Sequence, residues 1–325
     1  MAQSLRVSSH PPNAPGGLRT ATYADCMDVR ARLALALRDR VAGEDAEHRA
    51  RSIWLAPGAR RFAPTDPICR VHGHAAMYAG GIRALLLQML HPLAMAGVGH
   101  HSGYKGDPWG RLQRTSEYIA MTTFGPDESA EAVIARIRKI HDRVIGHAPD
   151  GREYRASDPH LLRWVHVAEI DSFVTSYQVH ATEPLTSDEA DRYVDQAAWA
   201  AEQLGVVDPP RTVAALQADL ESFRPELALT ESAKEAADFL LREPPLPWPA
   251  RPGYWMLAAG AVAMLPEHAR QLLGLQVPGI RGRVLDAVVR RPLGRAGTAA
   301  VHWALTDPRD LRHAPGSSGV ATPTH

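Results

Sequence analysis

Helix punctuation recurs along most of the chain, and it constrains the fold more than any other feature of the sequence. Asp107-Pro108 and Asp158-Pro159 each join a capping carboxylate to a proline suited to a first helical turn, and Ser187 offers a third cap. Gly125, Gly146 and Gly205 supply stops. Between these marks apolar residues recur at three- and four-residue spacing, while the alternation expected of strands is scarce. The expectation is an all-α fold, a single multi-helix globular domain.

The spacing predicts helices over Ala75–Leu90, Asp107–Phe124, Asp127–Ile145, Asp158–His180, Ser187–Leu204, Thr212–Phe223, Thr230–Arg242, Tyr254–Leu265, Glu267–Leu273 and Arg281–Leu305. Tyr23–Glu47 reads as an arginine-rich amphipathic helix or pair, and Arg51–Asp66 as a loop. Pro92 should kink or end the first core helix, because it removes a backbone donor. Gly97 to Gly103, with three glycines and two histidines, reads as a turn. In domain terms, residues 1–18 are a disordered tail, 19–67 a helical lead-in and 68–242 the core. Residues 243–312 are C-terminal helices packed on it, and 313–325 a second disordered tail.

The 325 residues carry 36 basic and 36 acidic side chains, a balance that argues against nucleic acid as the main partner. The longest apolar stretches, Ala84–Val98 and Tyr254–Leu265, fall short of the roughly 20 residues that cross a bilayer, although peripheral membrane contact stays open. The N-terminus lacks the apolar centre of a signal peptide, and Cys26 and Cys69 make no disulfide framework. A cytoplasmic protein is expected.

The chemistry-bearing residues gather on three helices. At about 100° per residue, Arg111, Thr115, Tyr118 and Thr122 share one stripe of the helix that starts at Pro108, beside an apolar arc of Trp109, Leu112 and Ile119. That is the pattern of a helix lining a pocket, or of a partly solvated face. On the next helix His141 lies among Ala130, Ile134, Ile137, Val144 and Ile145, where a bare imidazole needs a hydrogen-bond partner or a metal. His166 shares a face with Leu162, Ile170, Phe173 and Tyr177, and Glu169 three residues on is placed to orient it. His91, His100 and His101 sit at the break and the glycine-rich segment, as capping groups or as a pocket edge. Zinc-protease, di-iron, nucleophile-elbow, phosphate-loop, dinucleotide and covalent-haem motifs are all missing from the sequence.

Several segments in order carry a resemblance to a known family. They are Arg70-Val-His-Gly, then Gly80-Gly-Ile-Arg-Ala-Leu-Leu-Leu-Gln-Met-Leu-His-Pro92, Asp107-Pro-Trp-Gly-Arg-Leu-Gln-Arg-Thr115 and Thr123-Phe-Gly125. They continue through His141, Asp150-Gly-Arg-Glu-Tyr154, Asp158-Pro159, Trp164-Val-His166 and Arg192-Tyr193. Together they resemble the MpaB and latex-clearing-protein oxygenases. The resemblance implies a helical domain enclosing b-type haem, iron held by one histidine, and dioxygen chemistry on a small hydrophobic, unsaturated substrate. It places Arg111 and Thr115 on the distal side as catalytic groups. His141, Arg111, Arg114 and Arg83 become cofactor contacts, and His141 the iron ligand with His166 second. Arg114 stands where rubber-cleaving members have lysine, and arginine stays protonated and cannot ligate iron. Those members also use a distal carboxylate base, and no acidic residue lies between Gly73 and Gly106. Two other readings follow from the same residues: a non-catalytic helical protein that binds haem or lipid, and a non-haem metal site built on His91, His100, His101 or His166.

Overall fold

The computed structural model describes residues 46–101, 108–244 and 246–305, so the expectations for residues 1–18, for Tyr23 to Asp45 and for residues 313–325 lie outside it. Thirteen helices are labelled here in chain order, after a lead-in of Ala46–Ala50 and a π-type turn at Arg51–Leu55. They are α1 (Pro67–His72), α2 (Ala76–Gln88), α3 (Pro92–His101), α4 (Pro108–Phe124) and α5 (Asp127–His141). A small hairpin, β1 (Ile145–His147) and β2 (Glu153–Arg155), leads to α6 (Pro159–His180) and α7 (Ser187–Leu204). Then follow α8 (Val213–Ser222), α9 (Glu231–Arg242), α10 (Arg251–Met264), α11 (Glu267–Leu272), α12 (Gly279–Leu285) and α13 (Arg291–Leu305), the last two joined by a π-type turn at Asp286–Arg290. The fold is a single all-α domain, as expected.

The helix starts show why these segments form. The Asp158 carboxylate accepts from the His160 amide at 2.9 Å and caps α6, with Pro159 in its first turn. Thr186, one residue before the expected cap, shares a reciprocal capping box with Glu189 at the start of α7. Gly205 ends α7 in the left-handed region, at φ 111°.

At the centre α2 lies against α6 and α10. The crossing with α6 is close because Gly80 has no Cβ: one built there would lie 3.1–3.3 Å from Phe173, the Ser172 carbonyl and Ser176. Ser176 Oγ donates to the Ala76 carbonyl at 2.8 Å across the same joint. Gly260 on α10 and Gly294 on α13 likewise meet backbone to backbone. The main core, from Val71 and Leu86 through Trp164, Tyr193 and Phe223, fills the space around these joints.

Arg51–Leu55 forms a π-type turn where a loop is expected, and two further boundaries differ from the sequence reading. The segment expected to be a turn is helical through His101, bent 107° from α2 with Pro92 in its first turn. There the Tyr154 ring of the hairpin lies 3.6 Å from where a Gly97 Cβ would sit, so tertiary packing offsets the helix cost of glycine. Helix α5 stops at His141, and Val144 to His147 turn into the hairpin instead of extending the helix. Tyr154 pairs with Gly146, where a Cβ would collide with the tyrosine hydroxyl. No single helix among the described residues is long and apolar enough to cross a membrane.

Candidate active site

Helices α4 and α5 pack on each other and join the body of the protein through α1 and α7. Neither is a main packing partner of α2 or α6 among the described residues, and the line along which α4 meets α6, with Tyr118 in electrostatic reach of Glu169, forms a seam between the two pairs. On the core side of that seam α2 is buried nearly all round, apart from a strip of Met77, Tyr78, Gly81, Leu85 and Gln88. A Cβ added to Gly81 meets nothing within 4 Å, and Leu85 is 36% exposed on a helix otherwise inside the core.

Each flanking helix supplies titratable side chains. From α6, His166 is buried, and its Nε2 has no hydrogen-bond partner. Burial, with the Arg163 charge second, pushes it down to about 4, so the ring is neutral at pH 7. Glu169 does not reach that nitrogen. Burial holds its carboxyl up at about 7, and its charge in turn adds to the burial that raises the Tyr118 phenol on α4. At the end of α5, His141 is half-buried with an unpartnered Nδ1, and burial lowers its pKa. Neutral imidazole is the form that ligates a metal.

A second polar chain runs beside the seam. Thr123 Oγ1 lies 2.8 Å from His72 Nδ1, and His72 Nε2 lies 3.1 Å from the Tyr193 hydroxyl. Burial pushes His72 down to about 3, so its ring carries one proton and links one donor to one acceptor. The sequence reading did not single out His72 or Tyr193 for this link, which joins residues 51 and 121 positions apart.

The expected site residues fall into three groups. His141, His166, Glu169 and Tyr118 lie on the helices that flank the seam. Thr115 and Arg114 lie exposed on α4, and the Arg111 side chain is outside the described residues, although its backbone is helical. Thr122 turns its hydroxyl back onto the Tyr118 carbonyl at 2.8 Å, which takes it out of the expected pocket stripe. Arg83, expected as a cofactor contact, lies in the core. It is 3% exposed and its three nitrogens are engaged, with Met264 O at 2.9 Å, Ser172 Oγ at 2.7 Å and Asp171 Oδ2 at 2.7 Å. In this arrangement it is a strut that ties α2 to α6 and α10.

His91 lies at the α2–α3 bend, 1% exposed, and its Nδ1 accepts from the Ala94 amide at 3.4 Å. Its Nε2 faces the Glu226 carboxylate, which also meets His160. Neither His160 nor Glu226 was visible as a partner in the sequence. His100 and His101 belong to the last turn of α3.

The profile of one family, described as ER-bound oxygenase mpaB/B'/Rubber oxygenase, catalytic domain, matches residues 69–300. No curated protein and no solved structure matches.

Proposed function

Since the chain belongs to the mpaB/rubber oxygenase catalytic-domain family and is thereby an oxygenase-type oxidoreductase, we propose that it is a b-type haem-dependent oxygenase acting with dioxygen on a lipophilic, unsaturated substrate. The observation that carries this reading is a pair of imidazoles, His141 on α5 and His166 on α6, that burial keeps neutral and that each hold an unpartnered buried nitrogen. Such nitrogens are costly in a finished core and fit a site that awaits a metal-bearing group.

On this reading His141 holds the iron, with His166 as the second choice. Haem supplies dioxygen activation, the part of the chemistry that side chains cannot perform. Arg111 donates charge-assisted hydrogen bonds toward developing negative charge, and Thr115, one helical turn on, offers a hydroxyl to the same region. Arg114 adds positive charge beside them. Glu169 titrates near neutrality and takes or returns a proton without a large energetic penalty in either direction. Met77, Gly81 and Leu85 in the accessible strip of α2 favour a hydrophobic substrate over a charged one.

The expected outcome is an intense Soret band in full-length protein produced with haem supply, absent in His141→Ala and kept in His166→Ala. Oxygen uptake with a polyene then separates turnover from mere haem or lipid binding. A colourless protein that ignores added haemin sinks the reading.

A further inference from the structure

At the opening of α6 three side chains from distant parts of the chain converge. His91 comes from the α2–α3 bend, His160 from the first turn of α6, and Glu226 from a 3-10 turn at Arg224–Glu226. His160 Nε2 lies 3.0 and 2.9 Å from the two Glu226 oxygens, and His91 Nε2 lies 3.3 Å from Oε2. All three ligand atoms fall within 4.8 Å of one another. We propose that these three residues bind a divalent transition metal of the zinc class, at a site at the N-terminal end of α6.

The donor set and its spacing support this. Two imidazoles and one carboxylate suit zinc, iron(II), cobalt and nickel, and they disfavour calcium and magnesium, which take mainly oxygen. Zinc bonds of about 2.0–2.1 Å set tetrahedral ligands roughly 3.3 Å apart. The His91–Glu226 separation of 3.3 Å already matches and the His160–Glu226 separation of 2.9 Å is within a few tenths of an ångström, so loading requires only small side-chain adjustments. His91 is held by the core and His160 and Glu226 are exposed, so one ligand is fixed, two can adjust, and the fourth position opens to water. The nearby Arg152 charge is offset by Asp150 at 2.8 Å.

The geometry also fixes what loading displaces. In the metal-free protein the rings donate from Nε2 to Glu226. With metal on Nε2, each neutral ring carries its proton on Nδ1. His91 then gives up the Ala94 amide contact, which at 3.4 Å is too long to cost much. The metal would add a covalent tie between three segments that already meet through hydrogen bonds and ring contacts, so it should stabilise the folded state as its occupancy rises.

The test uses tag-free full-length protein and zinc or cobalt as the probe. Calorimetry should show one saturable site per chain, and cobalt should give the visible bands of a four-coordinate site. Zinc should raise the unfolding temperature by several degrees. His160→Ala and Glu226→Gln should each weaken binding at least tenfold and abolish that rise, while His141→Ala keeps both, which separates this site from the iron ligand proposed for the seam. Both substitutions fall at exposed positions, so the fold should tolerate them, and circular dichroism would verify this. Zinc binding that is absent, or that survives both substitutions, overturns the proposal.

Discussion

Helix α2 has two faces that were built to opposite rules. On one, Gly80 admits α6 to near backbone contact, Ser176 bonds across the joint, and Arg83 locks onto Asp171 and Ser172. On the other, no described atom lies within 4 Å of where a Gly81 Cβ would sit, Leu85 stays accessible, and α4 and α5 are not main packing partners among the described residues. The first face is close-packed, with Arg83 hydrogen-bonded through two nitrogens and ion-paired to Asp171 through the third. The second face is less covered, and on the helices that flank the seam His141 and His166 hold orphaned nitrogens and Glu169 retains a proton near neutrality. A domain of this size could have closed both. Leaving one open costs stability, which suggests that the rigid joint exists to hold the open face in a fixed shape.

The largest effect should come from breaking the rigid face. Arg83 and Asp171 side chains are 4% and 1% exposed, so Arg83→Leu leaves an uncompensated carboxylate inside the core. Urea unfolding should show a loss of about 3–5 kcal/mol. Arg83→Leu combined with Asp171→Leu should recover much of it, because the paired charges offset each other's desolvation and add little beyond that. If the single substitution costs under about 1 kcal/mol, the joint is not the strut described above.

Arg83 also shows where the sequence stopped being legible. Local chemistry was readable: Asp158 and Gly205 mark the ends of α6 and α7, and both helices span the residues expected of them. The glycines of α3 misled because their helix cost is a local quantity, while the Tyr154 ring packed against Gly97 belongs to the hairpin. The wheel placed His141 among Val144 and Ile145, but the chain leaves the helix at His141, and Ile145 is exposed on β1. Arg83 stands in a stretch that resembles the family, and nothing local says that it bonds to a serine 89 positions away. The same applies to Glu226, which meets His160 across 66 residues. Helix ends are set by neighbours in sequence; the partners of buried polar groups are set by the fold.

Glu169 sharpens the comparison from the open face. Its folded pKa, about 7, lies above the ordinary 4.5, so the native state binds a proton more tightly than the unfolded chain. Its contribution is therefore complete below pH 4.5 and is lost as pH rises through about 7. The loss amounts to up to about 3 kcal/mol. His166, lowered from 6.5 to about 4, acts in the opposite sense: its contribution is complete above pH 6.5 and is lost as pH falls through about 4. Glu169→Gln removes only the first. The stability gap between Glu169→Gln and the parent, from urea unfolding at a series of pH values, should move in favour of the variant between pH 4.5 and 7 and then level off. A gap that stays flat across that window would mean that the carboxyl is solvated and that the seam does not enclose it.

The smallest effect is the most direct test, because it uses two adjacent residues on the two faces. Alanine is the better helix former at either site by about 0.5–1 kcal/mol, so propensity alone predicts the same gain twice. Packing splits them. At Gly80 the new methyl would sit 3.1–3.3 Å from three atoms, one of them the Ser172 carbonyl oxygen, which cannot retreat without moving α6. Gly80→Ala should therefore destabilise, by about 1–2 kcal/mol net, within the range seen for overpacked cores. At Gly81 no atom of the described residues lies within 4 Å, so Gly81→Ala should keep the propensity gain and stabilise by a few tenths to about 1 kcal/mol. Opposite signs at neighbouring positions in thermal or urea unfolding would establish that α2 divides a closed joint from an open one. Two losses would mean that the Gly81 face is already occupied by packing, and the seam would then have no room for a cofactor on that side.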